Sequence, residues 1–118
     1  MSTAQGNAVR GEARLTVNGK EYLLRPTFQA LASIEGRTGD SVLDIIRRCG
    51  RGSAKVGDLF AVLLEGSRAG GKTIPPEVLG KFILADFKAA TEAAGQFMDG
   101  AFTGDEESPE GKAGPAAS

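Results

Sequence analysis

Hydrophobic and polar residues alternate near the start of the chain, and the alternation has the period of a β-strand. It covers residues 13–17 and is followed by Asn18 and Gly19, the pair that best fits the two positive-φ positions of a type I′ turn. Because a two-residue loop fixes the register, Leu15 should face Tyr22. The same register predicts these further pairs: Ala13 with Leu24, Val17 with Lys20, Thr16 with Glu21 and Glu12 with Arg25. The sequence therefore predicts an antiparallel hairpin with one apolar face.

From residue 26 onward, apolar residues recur at the spacing of amphipathic helices. Pro26 ends the second strand, and Thr27 can cap a helix that carries Phe28, Leu31 and Ile34 on one side. Three further stripes predict the remaining helices. The first is Val42, Ile45, Ile46 and Cys49 after an Asp40 or Ser41 cap, and the second is Val56, Leu59, Phe60 and Leu63 after a Ser53 cap. The third runs from Leu79 to Ala101 after Pro75-Pro76 and is interpreted as two helices, 75–84 and 86–102, rather than one.

These patterns predict an α+β fold, an N-terminal antiparallel β-hairpin packed on a bundle of four to five short α-helices. A lone hairpin is marginal in water, so the helices must cover its apolar face. The length of 118 residues fits one domain, which we assign to 11–103. The small, polar segment 1–10 is expected to be a flexible N-terminus. The acidic segment 104–118, rich in Gly, Pro, Ala and Ser, is expected to be a disordered tail.

The composition argues against several classes of function. Fourteen basic residues against fifteen acidic ones give a net charge of −1, which indicates neither nucleic-acid binding nor attachment to an anionic membrane. Cys49 is the only cysteine and histidine is absent, so no intramolecular disulfide or cysteine-based metal cluster is expected. No apolar run suggests a signal peptide or a membrane span, which predicts a cytoplasmic protein. No residue pattern indicates a catalytic, cofactor-binding or metal-binding site.

One segment matches a chemical motif letter for letter. Residues 66–73 fit the P-loop pattern G-x-x-x-x-G-K-[ST], in which Lys72 and Thr73 would contact phosphate and magnesium. That site requires a strand before the loop and a helix that opens at the Lys-Thr pair. Here the preceding residues have helical period, and Pro75 and Pro76 interrupt the following ones. We interpret the segment as a glycine-rich turn between helices; a small nucleotide-binding protein is the alternative.

The last predicted helix has more apolar residues than one stripe needs. Phe87, Phe97, Met98 and Phe102 are candidates for a partner-binding surface, since methionine beside aromatic rings forms an adaptable apolar surface. The alternative is that the hairpin and the third helix cover them, which fits Phe87 better than Phe97 or Phe102.

The hairpin and the helix after it resemble a known family. Its pattern is V-N-G-K at 17–20, Leu24, then Phe28, Ala30, Leu31, Ile34-Glu35 and Thr38-Gly39, and a later helix that ends in a glycine-rich turn at 59–71. This pattern resembles the gene transfer agent protein family, whose members are encoded among the tail genes of gene transfer agents and long-tailed phages.

The resemblance implies a non-enzymatic tail assembly chaperone in the cytoplasm of the producing bacterial cell. Its expected partner is the tape-measure protein, with the tail tube protein as a second partner and homo-oligomers allowed. It implies no cofactor and no catalytic residue. A generic protein-interaction domain without any connection to tails is the remaining alternative.

Overall fold

The computed structural model describes residues 12–103 and places a β-hairpin before five helices. The hairpin consists of β1 (Ala13–Val17) and β2 (Lys20–Leu24), which pair in antiparallel orientation as a two-stranded sheet. The predicted α+β architecture is therefore confirmed. The predicted flexible N-terminus (1–10) and disordered tail (104–118) lie outside the described residues.

The hairpin has the predicted register at every position. Asn18 and Gly19 have φ values of 52° and 79°, as a type I′ turn requires, and Leu15 faces Tyr22. One face of the sheet is buried through Leu15, Val17, Tyr22 and Leu24. At the open end of the hairpin Arg25 Nε lies 2.8 Å from a Glu12 carboxylate oxygen.

The helices follow one another through short connections and are close to their predicted positions. They are α1 (Phe28–Thr38), α2 (Val42–Arg51), α3 (Val56–Ala69), α4 (Pro76–Ala85) and α5 (Phe87–Thr103). The two-helix interpretation of the segment from 75 to 102 is confirmed, because Asp86 separates α4 from α5. The Asp86 side chain accepts a hydrogen bond from the Ala89 N–H at 3.1 Å and so caps the first turn of α5.

Side-chain caps explain where the first helices begin. Thr27 accepts from the Ala30 N–H, as predicted, and Ser41, one of the two predicted candidates, accepts from the Asp44 N–H, both at 3.1 Å. The predicted Ser53 cap is wrong: α3 has Lys55 at its N-cap position. Ser53 instead closes the preceding helix, because its N–H donates to the Arg48 carbonyl at 2.8 Å.

The core is organised around α3, which packs against α1, α4, α5 and β2. Every residue of α3 from 58 to 67 except Phe60 is buried, so this helix is surrounded on nearly all sides. Two predicted stripe residues are not in the core: Phe28 is 85% exposed and Val56 is 51% exposed. Both lie in the first turn of their helices, before the neighbouring elements begin to cover the surface. Ile46 and Cys49 of the α2 stripe are half-buried.

Candidate partner-binding surfaces

The four candidate residues of α5 are divided between the core and the surface. Phe97 and Met98 are fully buried, whereas Phe87 is 36% exposed and Phe102 is 44% exposed. The expectation of one exposed surface is therefore wrong for Phe97 and Met98, whose side chains no partner can reach in the folded chain. Phe87 and Phe102 lie at opposite ends of α5, about 22 Å apart along the helix axis. A role for either one in partner binding stays a prediction.

Phe97 is buried because α3 has a glycine opposite it. A methyl group placed on Gly66 would lie 3.0 Å from the nearest carbon of the Phe97 ring, so the ring rests directly on the backbone of α3. The sequence indicated an apolar face on α5 but not which side of the helix meets α3. Gly66 on the facing helix makes room for the ring, but a glycine inside a helix does not by itself indicate which residue packs against it.

The P-loop-like segment forms the joint between α3 and the hairpin. The Arg25 N–H donates to the Gly66 carbonyl at 3.1 Å, which ties the end of β2 to α3. A methyl group on Gly70 would overlap the backbone carbonyl of Leu23, so only glycine fits where the helix end touches the strand. Ser67, fully buried, accepts from the Ile74 N–H at 3.0 Å and holds the turn that follows.

The two residues that would bind phosphate in a P-loop, Lys72 and Thr73, are exposed in this turn. They follow a helix instead of a strand, and the next helix begins at Pro76, three residues beyond Thr73. Lys72 Nζ lies 5.4 Å from the centre of the Tyr22 ring, a cation–π contact with the hairpin. The strand–loop–helix geometry of a nucleotide site is thus missing from the part of the chain that the structure describes.

A buried carboxylate joins α2 to α3. Arg48 donates from Nε and Nη2 to the two Asp58 oxygens, both at 2.8 Å, and also contacts Asp40 at 2.9 Å. Burial alone would raise the pKa of Asp58, but the hydrogen bonds from Arg48 and from the Lys55 N–H, with the charge of Arg48, hold that pKa below its ordinary value. The same contacts raise the pKa of Arg48. This cluster stabilises the fold and leaves Asp58 no exposed surface for a ligand.

A second buried carboxylate, Glu65, joins α3 to α1. Arg37 Nε donates to it at 2.6 Å, and Arg68 lies 3.7 Å from its other oxygen. Glu65 also lines a groove of about 360 Å³ between α1 and α3, together with Ala30, Ser33 and residues near the end of α3. Arg68 also lines this groove and its side chain is 59% exposed, whereas the Arg37 side chain is 43% exposed.

A second groove, of about 330 Å³, lies between α2 and α5. Its lining combines Ile46, Cys49 and Gly50 of α2 with Glu92, Gly95 and Asp99 among the residues from α5. Burial raises the pKa of the Cys49 thiol to about 11, so Cys49 is a neutral, unreactive part of the lining at physiological pH. Sequence reasoning missed this groove. The glycines of α2 and α5 were visible in the sequence, but they did not indicate that the two helices leave a groove between them.

The described surface also exposes several large hydrophobic side chains. They are found on all five helices: Phe28, Leu43, Val56, Leu84, Phe87 and Phe102. Single exposed hydrophobic residues are ordinary, but six on a domain of this size are candidates for contacts with other proteins. Within residues 12–103 there is no group of three or more histidine, cysteine, aspartate or glutamate side chains that could hold a metal ion. None of the helices in that range is long and apolar enough to span a membrane.

Comparison with known proteins identifies the family. Residues 10–104, most of the chain, match the model of the family described as phage tail tube protein, GTA-gp10, and the chain belongs to this family. No curated protein and no solved structure gives a significant match. Membership supports the predicted connection with the tails of phages and gene transfer agents. The family description names a tube protein, whereas the resemblance noted in the sequence implied a chaperone.

Proposed function

We propose that this member of the phage tail protein family is a non-enzymatic tail assembly chaperone that binds the tape-measure protein while the tail is built. The observation that carries the proposal is the set of exposed apolar side chains on a domain whose own core is closed. Such side chains favour binding to another protein. A helical tape-measure chain would offer amphipathic helices, and helix-in-groove binding is a common way to recognise them.

The distribution of these side chains favours a transient partner over a permanent one. A tube subunit must bury large, apolar interfaces against its neighbours in the ring and against the next ring. The six exposed hydrophobic residues instead lie on five different helices, and all six occur in the first turns of their helices or close to a helix end. Separate small contacts of this kind suit a protein that binds, releases and binds again.

The family description favours a second candidate function, a subunit of the tail tube itself. In that case the same exposed residues would be buried between subunits of the tube. The tail tube protein is also the second partner that the chaperone role implies, so both candidate functions bring this chain into contact with the tail tube. They differ in whether this chain remains in the finished tail.

The test is to follow this chain through tail assembly with an affinity tag. A chaperone should co-purify with the tape-measure protein from cells that are assembling tails and should be absent from purified, finished particles. Presence in finished particles at many copies per tail would contradict the chaperone and establish the tube subunit. Absence from the particles, with no tape-measure protein bound in the cell extract, would contradict both functions.

A further inference from the structure

We infer that the outer edge of β1 is a docking site for a second copy of this chain, which pairs with it edge to edge in antiparallel orientation. The inference does not depend on the proposed function. Three features support it: the two edges of the hairpin sheet differ, the β1 edge has backbone groups without a partner, and the sequence of β1 is complementary to itself.

A two-stranded sheet has two outer edges, and α3 closes the one that belongs to β2. Residues of an antiparallel pair alternate between those that bond to each other and those whose backbone groups point outward. The two-residue turn makes Val17 and Lys20 a hydrogen-bonded pair, so the backbone groups of Leu23 point out of the sheet on the β2 side. The Leu23 carbonyl faces Gly70 of α3, where a methyl group would overlap it. The end of α3 therefore leaves no room for a further strand beside Leu23.

The β1 edge has the corresponding backbone groups without an element bonded to them. The same alternation turns the N–H and C=O groups of Arg14 and Thr16 outward, and within residues 12–103 they have no hydrogen bond to another element. Both residues are exposed. The five residues of β1 include no proline and no bulge, two features that commonly protect an edge. Outward N–H and C=O groups in this arrangement are complementary to another strand.

The sequence of β1 is complementary to itself when a twofold axis relates two copies at Leu15. Each Arg14 then lies opposite Thr16 of the second copy, and the outward groups of these residues can form four hydrogen bonds between the strands. The side chains match as well. Leu15 lies opposite Leu15 of the second copy, and the half-buried Ala13 lies opposite Val17 of the second copy.

Other registers of the same two strands fit less well. A shift by one residue would place apolar side chains opposite polar ones. A twofold axis at Arg14 would place two arginines opposite each other, which is unfavourable. An axis at Thr16 would leave Arg14 opposite the turn residue Asn18 and would form two hydrogen bonds instead of four.

A second copy satisfies two edges with one contact, because it brings the same outward groups. Since α3 closes the β2 edge, each copy has one edge to offer and pairing must stop at a dimer. Strands of five residues form a short interface, so we expect a dimer that dissociates on dilution, unlike permanent dimers with large interfaces.

The first measurement is sedimentation of the full chain at concentrations from about 1 μM to about 1 mM. The wild type should pass from monomer to dimer and form no larger species. Thr16→Pro removes the N–H that points to the second copy and no hydrogen bond within the hairpin, so it should raise the dissociation constant by at least about tenfold. Thr16→Ala keeps that N–H and is the matched control, which should dimerise like the wild type.

Cross-linking tests the register without a proline. One preparation carries Arg14→Cys and the other Thr16→Cys, both in a Cys49→Ser background that removes the single native thiol. Oxidation of the mixture should give a disulfide-linked dimer, because the Cβ atoms of directly opposite residues lie about 5 Å apart. A mixture of Arg14→Cys with Glu21→Cys is the control. Glu21 lies one strand further from the axis, so this mixture should stay monomeric on a non-reducing gel.

Four results would overturn the inference. They are a monomer throughout the concentration range, an assembly larger than a dimer, a folded Thr16→Pro variant that dimerises like the wild type, and cross-linking of Glu21→Cys as efficient as that of Thr16→Cys. Circular dichroism shows whether Thr16→Pro folds. If it does not fold, the sedimentation of the wild type and the cross-linking decide.

Discussion

Glycine occurs at two helix junctions of this fold, and the two junctions differ in what faces it. Where α3 meets the hairpin and α5, Gly70 touches the Leu23 backbone and Gly66 supports the Phe97 ring. Between α2 and α5, Gly50 and Gly95 face open space. In the first junction the missing side chain lets the chain pack closely on itself. In the second the position of the missing side chain faces open space, although the residue type is the same.

The structural role of a glycine in this fold therefore depends on the residue that faces it from another element, and not on the helix in which it lies. Each of these four glycines except Gly70 lies inside a helix, where glycine costs about 1 kcal/mol relative to alanine. At Gly66 the close approach of an aromatic ring offsets that cost. At Gly95 no such contact is present, as at Gly36 and Gly80, which also lie inside helices and face open space.

Phe97→Asp should unfold the protein. The ring is fully buried against Gly66, and its replacement would leave both a cavity and an unpaired charge, at a cost of more than about 4 kcal/mol. Phe102→Asp, at a residue that is 44% exposed, should cost less than about 1 kcal/mol. Urea denaturation followed by circular dichroism measures both. Equal stability of the two variants would contradict the division of α5 into a core side and an open side.

Gly70→Ala should cost about 3 kcal/mol, because its methyl group would overlap the Leu23 carbonyl and force the end of α3 away from β2. The flexible end of a side chain could move aside, but a backbone carbonyl within a strand cannot. Gly36→Ala in α1 is the control, since its methyl group meets nothing within 4 Å and should stabilise the helix by up to about 1 kcal/mol. Thermal unfolding of the two variants should move in opposite directions. A Gly70→Ala variant as stable as the wild type would show that the end of α3 is not packed closely enough on β2 for this overlap to occur.

The hairpin could be predicted from the sequence because its determinants are local. Asn18 and Gly19 specify the turn, the turn specifies the register, and alternation specifies the buried face. The break between α4 and α5 could be predicted for the same reason, since Asp86 caps the helix after it. Most helix boundaries depend on caps of this kind, within a few residues of the boundary.

The contacts between distant elements could not be predicted in the same way. Phe28 has the right spacing for a core stripe but lies in a helix turn that nothing covers, and Phe97 was expected at the surface but rests on Gly66. Both outcomes depend on where α3 crosses the other helices, which no local pattern determines. The groove between α2 and α5 was missed for the same reason: a glycine in a helix does not tell whether its neighbour is close or absent.

Asp58→Asn should cost about 2 kcal/mol at neutral pH, because it removes the charged hydrogen bonds that tie α3 to the groove wall formed by α2. The pKa of Asp58 is lowered in the folded state, so its contribution is present above the unfolded value of about 4 and is lost as pH falls through the folded value. The difference between variant and wild type should therefore shrink below about pH 4. Denaturant titrations at pH 7 and pH 3 measure it. A difference that does not depend on pH would contradict the ion pair.

Gly66→Ala and Gly95→Ala compare the two junctions most directly, since both place a methyl group on an interior helix position. Gly95→Ala should stabilise by up to about 1 kcal/mol through helix propensity alone. Gly66→Ala gains the same propensity but pushes on the Phe97 ring, so it should be neutral or destabilising by about 1 kcal/mol. Calorimetry should give a higher Tm for Gly95→Ala and an unchanged or lower Tm for Gly66→Ala. Shifts in the same direction would mean that the two junctions are packed alike.

Lys72→Ala should have the smallest effect. Lys72 belongs to a segment that matches a P-loop in every letter, yet it follows a helix, and its Nζ lies over the Tyr22 ring. Loss of that exposed cation–π contact should cost about 0.5 kcal/mol.

Titration with ATP or GTP and magnesium should give no heat and no rise in Tm for the wild type or for the variant, since a ligand that binds only the folded state must stabilise it. Thr73→Ala is the matched control for the hydroxyl group that would bind magnesium in a P-loop. A micromolar nucleotide affinity that both substitutions abolish would show that this turn binds a phosphate group as well as packing against β2. The segment would then bind nucleotide, which its place between α3 and α4 does not indicate.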